Sequence, residues 1–316
     1  VRVFDLSWSR SDGRHLRDRQ CATTASHPPC RLSSAKVLIV GCTGLGAEVA
    51  KNIVLAGVGS VTLVDDTPCA QRDPGNFLVL ADADGSRTVA QACAAMLREM
   101  NPLVDVQAQA GPPAGSGLER EAHGLVLDLT GDPASVSASS VACRAAGLPF
   151  FAGGSRGTIG WAFADLGEHR FVVERRGPGP DGAKQAEACS TSYPSWARAM
   201  AADVGGRSLK RVHPVYLMLR AQALSPSGAG EGAGAAAADA IARLDEELGR
   251  PSSLQAEALE SMTCTAHGLP AVSAVLGGIL ANDVLKAVSG RGRPMDNFFL
   301  YSIADGAGVV DRWGDA

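Results

Sequence analysis

The run Lys36-Val-Leu-Ile-Val-Gly41-Cys-Thr-Gly44-Leu-Gly46 leads an apolar segment into a glycine turn, and Val61-Thr-Leu-Val64 ends in Asp65-Asp66. Glycines let backbone amides approach an anion, and amides that open a helix carry partial positive charge. This pattern is therefore one that can seat a phosphate. An acid closing the second strand stands where a nucleotide-binding unit meets a ribose. The spacing is G-x-x-G-x-G, not the G-x-G-x-x-G of dinucleotide enzymes, which argues against an NAD-dependent oxidoreductase using Asp65. Gly41, Gly44, Gly46 and Asp65 are the candidate nucleotide contacts.

Other reactive residues have weaker contexts. Cys264 lies in Ser261-Met-Thr-Cys-Thr-Ala-His267, and a working nucleophile there needs an activated thiolate in a defined pocket. A structural cysteine is the simpler reading for Cys264, and for Cys189 beside Ser190 and Thr191. His169 and His213 have no partners at ligand spacing and read as surface or capping residues. The 8 cysteines include no C-x-x-C pair, so no metal site is expected and the thiols suit a reducing compartment. A net charge of -4 gives no electrostatic footprint for nucleic acid or an anionic membrane. No apolar run stands out as a bilayer span, and residues 1–34 lack the apolar core of a signal peptide.

The elements that must position these residues alternate strand and helix, the signature of an α/β, Rossmann-like, doubly wound and mostly parallel sheet. Strands are expected at Val37–Val40, Val61–Val64, Val104–Val106, Leu125–Leu129 and Pro149–Ala152. Helices are expected after Gly44, over Ser86–Met100 and over Ser135–Ala146. Thr158–Ala164 and Arg170–Glu174 then read as antiparallel strands joined through Leu166–His169. The tract Gly228–Ala238 reads as a flexible loop. Leu269–Val288 is a long apolar helix, and an antiparallel hairpin from Asn297 to Arg312 closes the fold. The expected units are an arm (1–35), a nucleotide-fold domain (36–174), a small helical insert (175–261) and a return segment (262–316).

Residues 17–312 resemble the ubiquitin-like activating enzymes and the bacterial enzymes that adenylate sulfur-carrier proteins. Gly41 to Asp66 and the Asn101-Pro-Leu-Val-Asp-Val106 turn carry the general likeness. Asp73-Pro-Gly75, Gly160–His169, Tyr193-Pro-Ser-Trp196, Ala274–Ala287 and Asn297-Phe-Phe299 are similar to the smaller, non-catalytic subunits of the SUMO-activating branch. The resemblance also shows departures. Active halves carry an Asn and an Arg after the second strand, where this chain reads Gln71-Arg-Asp-Pro-Gly-Asn-Phe77. Val89 takes the place of their lysine, and Gly131 or the adjacent Asp132 takes that of their magnesium-binding acid, counted back from Cys143. Phosphoryl chemistry depends on such cationic and metal clamps.

The resemblance therefore implies a structural half with a vestigial glycine loop, no cofactor of its own, and ATP and Mg2+ bound by a catalytic partner subunit. That partner would also hold the thioester cysteine and SUMO, in the nucleus and cytoplasm. One catalytic residue is implied here: Arg19 in Asp18-Arg19-Gln20, which in this family reaches across the dimer to the partner's ATP phosphates. The motif's surroundings, Leu16-Arg17 before it and Cys21-Ala-Thr-Thr after it, depart from the family. The resemblance also implies a subunit contact near the Phe298-Phe299 hairpin. The alternatives are a self-sufficient homodimeric adenylyltransferase of the bacterial type, a NEDD8-type regulatory subunit, and an interaction module with no catalytic contribution.

Overall fold

The computed structural model describes residues 31–80, 86–111, 122–176, 184–204, 209–224, 233–252, 254–264, 267–304 and 306–315. One sheet of eight strands organises them, in the order β10-β9-β6-β5-β4-β1-β2-β3. β1 (Lys36–Val40), β2 (Ser60–Val64), β3 (Asp105–Gln109), β4 (Leu125–Asp128) and β5 (Phe150–Arg156) form the parallel part. β1 pairs with β2 through Val37 opposite Val61, and with β4 through Val37 opposite Leu125. A central strand covered on both faces must be apolar throughout, and Val37 to Val40 are all buried. Strand order reverses between β1 and β4, which is where ligands enter sheets of this type.

α1 (Gly44–Ala56), α2 (Val89–Met100) and α8 (Pro270–Ser289) cover one face, while α3 (Pro133–Ala146) and the helices of the insert cover the other. Local chemistry sets the helix ends. Thr88 and Gln91 form a reciprocal capping box that starts α2 at Val89, three residues later than the apolar pattern alone places it. Asp132 caps α3 and Pro133 occupies its first turn, so α3 begins two residues before the expected Ser135. The turn after α2 is tied to α1 by the Asn101 amide, which donates to the Val54 carbonyl at 2.8 Å.

Two expectations change. β6 (Ile159–Asp165) does not form a hairpin with β7 (Glu168–Arg176). Its two edges are filled antiparallel by β5 and by β9 (Phe298–Ser302), because β6 is buried along its length and belongs in the core sheet. Gly167, at φ +57°, turns the chain away, and β7 pairs with β8 (Lys184–Ser192) in a separate ribbon. The Gly/Ala tract is helical from Ala233 onward, as the start of α6 (Ala233–Leu248), consistent with alanine's helix preference. Residues 228–232 lie outside the described part. The insert further holds α4 (Trp196–Met200), α5 (Pro214–Leu224) and α7 (Ala256–Cys264). The closing hairpin of β9 and β10 (Ala307–Asp311) forms as expected.

α8 is long and apolar enough to cross a bilayer by length and composition, unlike the sequence expectation. Its buried face, with Val272, Leu276, Leu280 and Val284, joins α1 in the first core cluster. Asp283 on that face is 3% exposed and accepts the Met295 amide at 3.0 Å. A carboxylate fixed this way suits a helix packed in the core of this fold better than a bilayer span.

Candidate functional site

The glycine turn lies at the carboxyl end of β1, beside the point where strand order reverses. Gly41 has φ +85°, a conformation that favours glycine. At Gly46 a side chain would place its Cβ 2.2 Å from the Gly41 carbonyl oxygen, so the turn can close only with glycine there. Thr43 caps α1 by accepting the Gly46 amide at 3.2 Å. These features are those of a phosphate-binding turn. The question is what its amides meet.

They meet acceptors of this chain itself, two of them carboxylates. The Gly41 amide donates to the Val64 carbonyl at 2.9 Å, and the Cys42 amide donates to Asp65 Oδ2 at 2.8 Å. Asp65 Oδ1 accepts the Thr67 amide at 3.0 Å, so both carboxylate oxygens serve the backbone. The Gly44 amide, first of α1, donates to Asp73 Oδ2 at 2.7 Å. Asp73 Oδ1 accepts the Gly75 amide at 2.7 Å and faces His267 Nδ1 at 3.4 Å. The Asp73-Pro-Gly75 turn lies directly on the loop, since a Cβ on Gly44 would sit 3.1 Å from the Gly75 carbonyl carbon.

The neighbouring crevice is closed by direct contact. Thr43 Oγ1 donates to the Leu129 carbonyl at 3.1 Å, joining the β1 and β4 turns. A Cβ on Gly41 would fall 2.8 Å from the Thr130 amide nitrogen. Asp132, the candidate for the magnesium position, is spent on its own helix and accepts the Ser135 amide at 3.0 Å. Four residues earlier, the fully buried Asp128 accepts from Thr130 Oγ1 at 2.6 Å and from Ser135 Oγ and Ser139 Oγ, both at 2.8 Å. Val89, in the lysine position, is 1% exposed and packs in the core. Asn76 is buried as well: its amide donates to the Cys42 carbonyl at 2.6 Å and to Cys93 Sγ at 3.3 Å.

Two core thiols, Cys42 and Cys143, are held in the protonated form, whereas the hydrogen bond from Cys42 lowers the pKa of its neighbour Cys93. The Cys42 thiol hydrogen-bonds Cys93 and is fully buried, and both effects hold its pKa well above the ordinary value. Burial, helped by Asp165 and Asp128, pushes Cys143 up to about 12. The side chain of Cys264 and all of Arg19 lie outside the described residues. Cys189 lies on β8, half-buried, with its thiol 3.9 Å from the Glu187 carbonyl. His213 Nδ1 accepts the Val215 amide at 3.3 Å at the start of α5. His169 stacks on Phe171 with centroids 6.0 Å apart. Phe298 is buried among Phe163, Trp196 and Tyr216, while Phe299 joins the opposite core cluster.

Sequence reasoning placed the glycines and Asp65 together but did not find Asp73 or Asp128. Asp73 was visible as the head of an Asp-Pro-Gly turn, a motif whose carboxylate accepts backbone amides. Nothing in the sequence said which distant amide the second oxygen would reach.

An α/β sheet with a glycine turn at its reversal point, extended by antiparallel strands, defines a protein of the Rossmann-like nucleotide fold. The chain belongs to the ThiF family, which matches residues 18–309. It is 30% identical to SUMO-activating enzyme subunit 1B-1 of Arabidopsis thaliana over 311 residues, 94% of each chain. It is 29% identical to SUMO-activating enzyme subunit 1 of Rattus norvegicus, over 94% of this chain and 93% of the relative. Among solved structures, E. coli MccB superposes with a TM-score of 0.53 at 14% identity, covering 90% of this chain and 66% of that one. That likeness is one of fold, and this chain spans just under two thirds of MccB. Tested against ATP, the residues around the glycine turn do not fit a triphosphate: a carboxylate stands on the Gly44 amide and no lysine is offered from α2.

Proposed function

We propose that this chain is the structural, non-adenylating subunit of a heterodimeric SUMO-activating enzyme. The partner subunit would bind ATP and Mg2+, adenylate the C-terminal glycine of SUMO and take it onto its own cysteine. In the nucleus and cytoplasm, this chain would complete the paired sheets and offer Arg19 in trans to the partner's phosphates. A guanidinium supplied across an interface can neutralise developing phosphate charge. The observation that supports the reading most is the bond from the Gly44 amide to Asp73, which puts a negative charge where a phosphate oxygen would need to accept. The buried Val89 in the lysine position points the same way. The names of the relatives support the choice of SUMO as modifier.

The test is ATP-dependent pyrophosphate exchange in the presence of SUMO. The chain is assayed alone, with a catalytic SUMO-activating subunit, and as an Arg19→Ala variant with that subunit. Exchange is expected only in the mixture, lowered on the order of tenfold or more by the substitution. Exchange by the chain alone would instead support a self-sufficient adenylyltransferase. An unchanged rate with Arg19→Ala would remove the trans arginine and leave a structural role.

A further inference from the structure

The misfit between the glycine turn and ATP has a definite cause: we propose that Asp73 is a tethered anion that occupies the seat of a nucleotide phosphate and holds the turn closed. The inference rests on reading this chain as a non-adenylating half, and it names what fills that half's site. The Gly44 amide opens α1, so it has no partner within the helix and points along the axis toward any anion at the helix mouth. Asp73 Oδ2 stands 2.7 Å from that amide, the short distance of a charge-assisted hydrogen bond. The second oxygen is held by the Gly75 amide at 2.7 Å, with His267 Nδ1 at 3.4 Å.

Three separate pieces of chain converge on one carboxylate: the mouth of α1, the Asp-Pro-Gly turn, and the segment that leads into α8. The last is itself pinned, since the Gly157 amide donates to the His267 carbonyl at 3.0 Å and the Leu269 amide to the Gly157 carbonyl at 3.0 Å. The Asp73 side chain is only 10% exposed, although burying an unpaired carboxylate is costly. Its position makes physical sense as a built-in counter-ion. Gly44 makes the approach possible, because a Cβ there would press on the Gly75 backbone at 3.1–3.2 Å. A half that carries its own anion keeps the glycine turn formed whether or not nucleotide is present. It also excludes a second anion by charge and by volume.

The assignment predicts chemical rescue. Removing the carboxylate should leave a seat that a small free anion can refill, and binding to the folded form alone raises its stability. Thermal unfolding of the full chain is followed for wild type, Asp73→Ala and Asp73→Asn, at constant ionic strength in sodium chloride, sodium formate or sodium phosphate. Asp73→Ala should melt lower by roughly 3–6 °C, and formate or phosphate should recover a sizeable part of that loss relative to chloride. The wild type, whose seat is filled, should show only the general stabilisation that phosphate gives any folded chain, a smaller response than that of Asp73→Ala. Asp73→Asn, whose amide fills the seat without charge, should melt lower than wild type and show no rescue.

Equal melting of Asp73→Ala and wild type, or the same response to formate and phosphate in both, would overturn the assignment. If Asp73→Ala does not fold, Asp73→Asn decides, and wild-type melting there overturns the proposal. Failure here stays distinct from failure of the broader reading. Pyrophosphate exchange by the wild-type chain alone would sink the non-adenylating role. An anion-insensitive Asp73→Ala, with exchange still confined to the mixture, would sink only Asp73's part in it.

Discussion

Two strand-to-helix turns stand side by side at the carboxyl ends of β1 and β4, and they satisfy their backbones in opposite ways. The β4 turn is self-contained. Asp128 and Asp132 gather amides and hydroxyls from Thr130, Ser135 and Ser139, none more than 11 positions away. The β1 turn borrows. Its Cys42 and Gly44 amides rely on Asp65 and Asp73, 23 and 29 positions distant. A turn that supplies its own acceptors needs nothing from outside. One whose amides wait for a remote partner can be completed by a ligand or by a side chain. The same backbone geometry therefore serves a nucleotide site when the remote partner is a phosphate, and a closed core when it is a carboxylate.

Breaking the self-contained turn should cost most. Asp128→Ala strands hydroxyls and an amide in a site that is 0% exposed, and hydrogen bonds to a charged acceptor are among the stronger ones. A loss on the order of 3 kcal/mol or more is expected, read as a lower urea midpoint, and a near-wild-type midpoint would show that Thr130, Ser135 and Ser139 can repair each other. In the borrowing turn, Gly46→Ala drives a methyl to 2.2 Å from the Gly41 carbonyl oxygen, so backbone must move. That overpacking is expected to cost about 1–3 kcal/mol and to leave a turn that can no longer bring Gly44 onto Asp73. If Gly46→Ala and Asp73→Ala together cost no more than Gly46→Ala alone, the two substitutions act on one closure. Full additivity would separate them.

The same contrast explains what was legible in the sequence. β1, with four consecutive buried apolar residues, and the helix after Gly44 are local patterns, and they read correctly from composition and spacing. The parallel sheet followed from the alternation of such segments. Asp65 was also legible as a candidate, because the end of the second strand is a fixed address in this fold. Asp73 was legible only as a turn former, since its decisive contact is made across 29 positions that no periodicity spans. The false hairpin between β6 and β7 arose in the same way. Adjacent strands joined by a glycine turn usually pair, but β6 had both its edges taken by β5 and β9 from elsewhere in the chain. Val89 is where the resemblance puts the family's lysine. What the sequence could not convey is that its side chain is turned into the core, 1% exposed, where burying a cation would be costly.

At the other end of the same two strands the pairing has a titratable element, and there the expected effect is smallest. His123 precedes β4 close to Lys36, which opens β1, and the Gly124 amide donates to the Lys36 carbonyl at 2.8 Å. Burial, and secondarily the Lys36 charge, lowers the His123 pKa below its ordinary 6.5. The unfolded chain therefore binds more protons than the folded one in the interval between those two values. Stability must rise with pH there, and must be lost as pH falls through 6.5 toward the folded value. His123→Gln should remove that slope, while Lys36→Gln should only lessen it, because burial is the larger cause. Urea unfolding between about pH 5.5 and 7.5 measures it. A His123→Gln variant whose midpoint still tracks pH as the wild type's does would mean the histidine is as free to charge in the fold as outside it. The strand pairing would then depend on pH through some other group, and the two ends of β1 and β4 would not differ in the way argued for the turns above them.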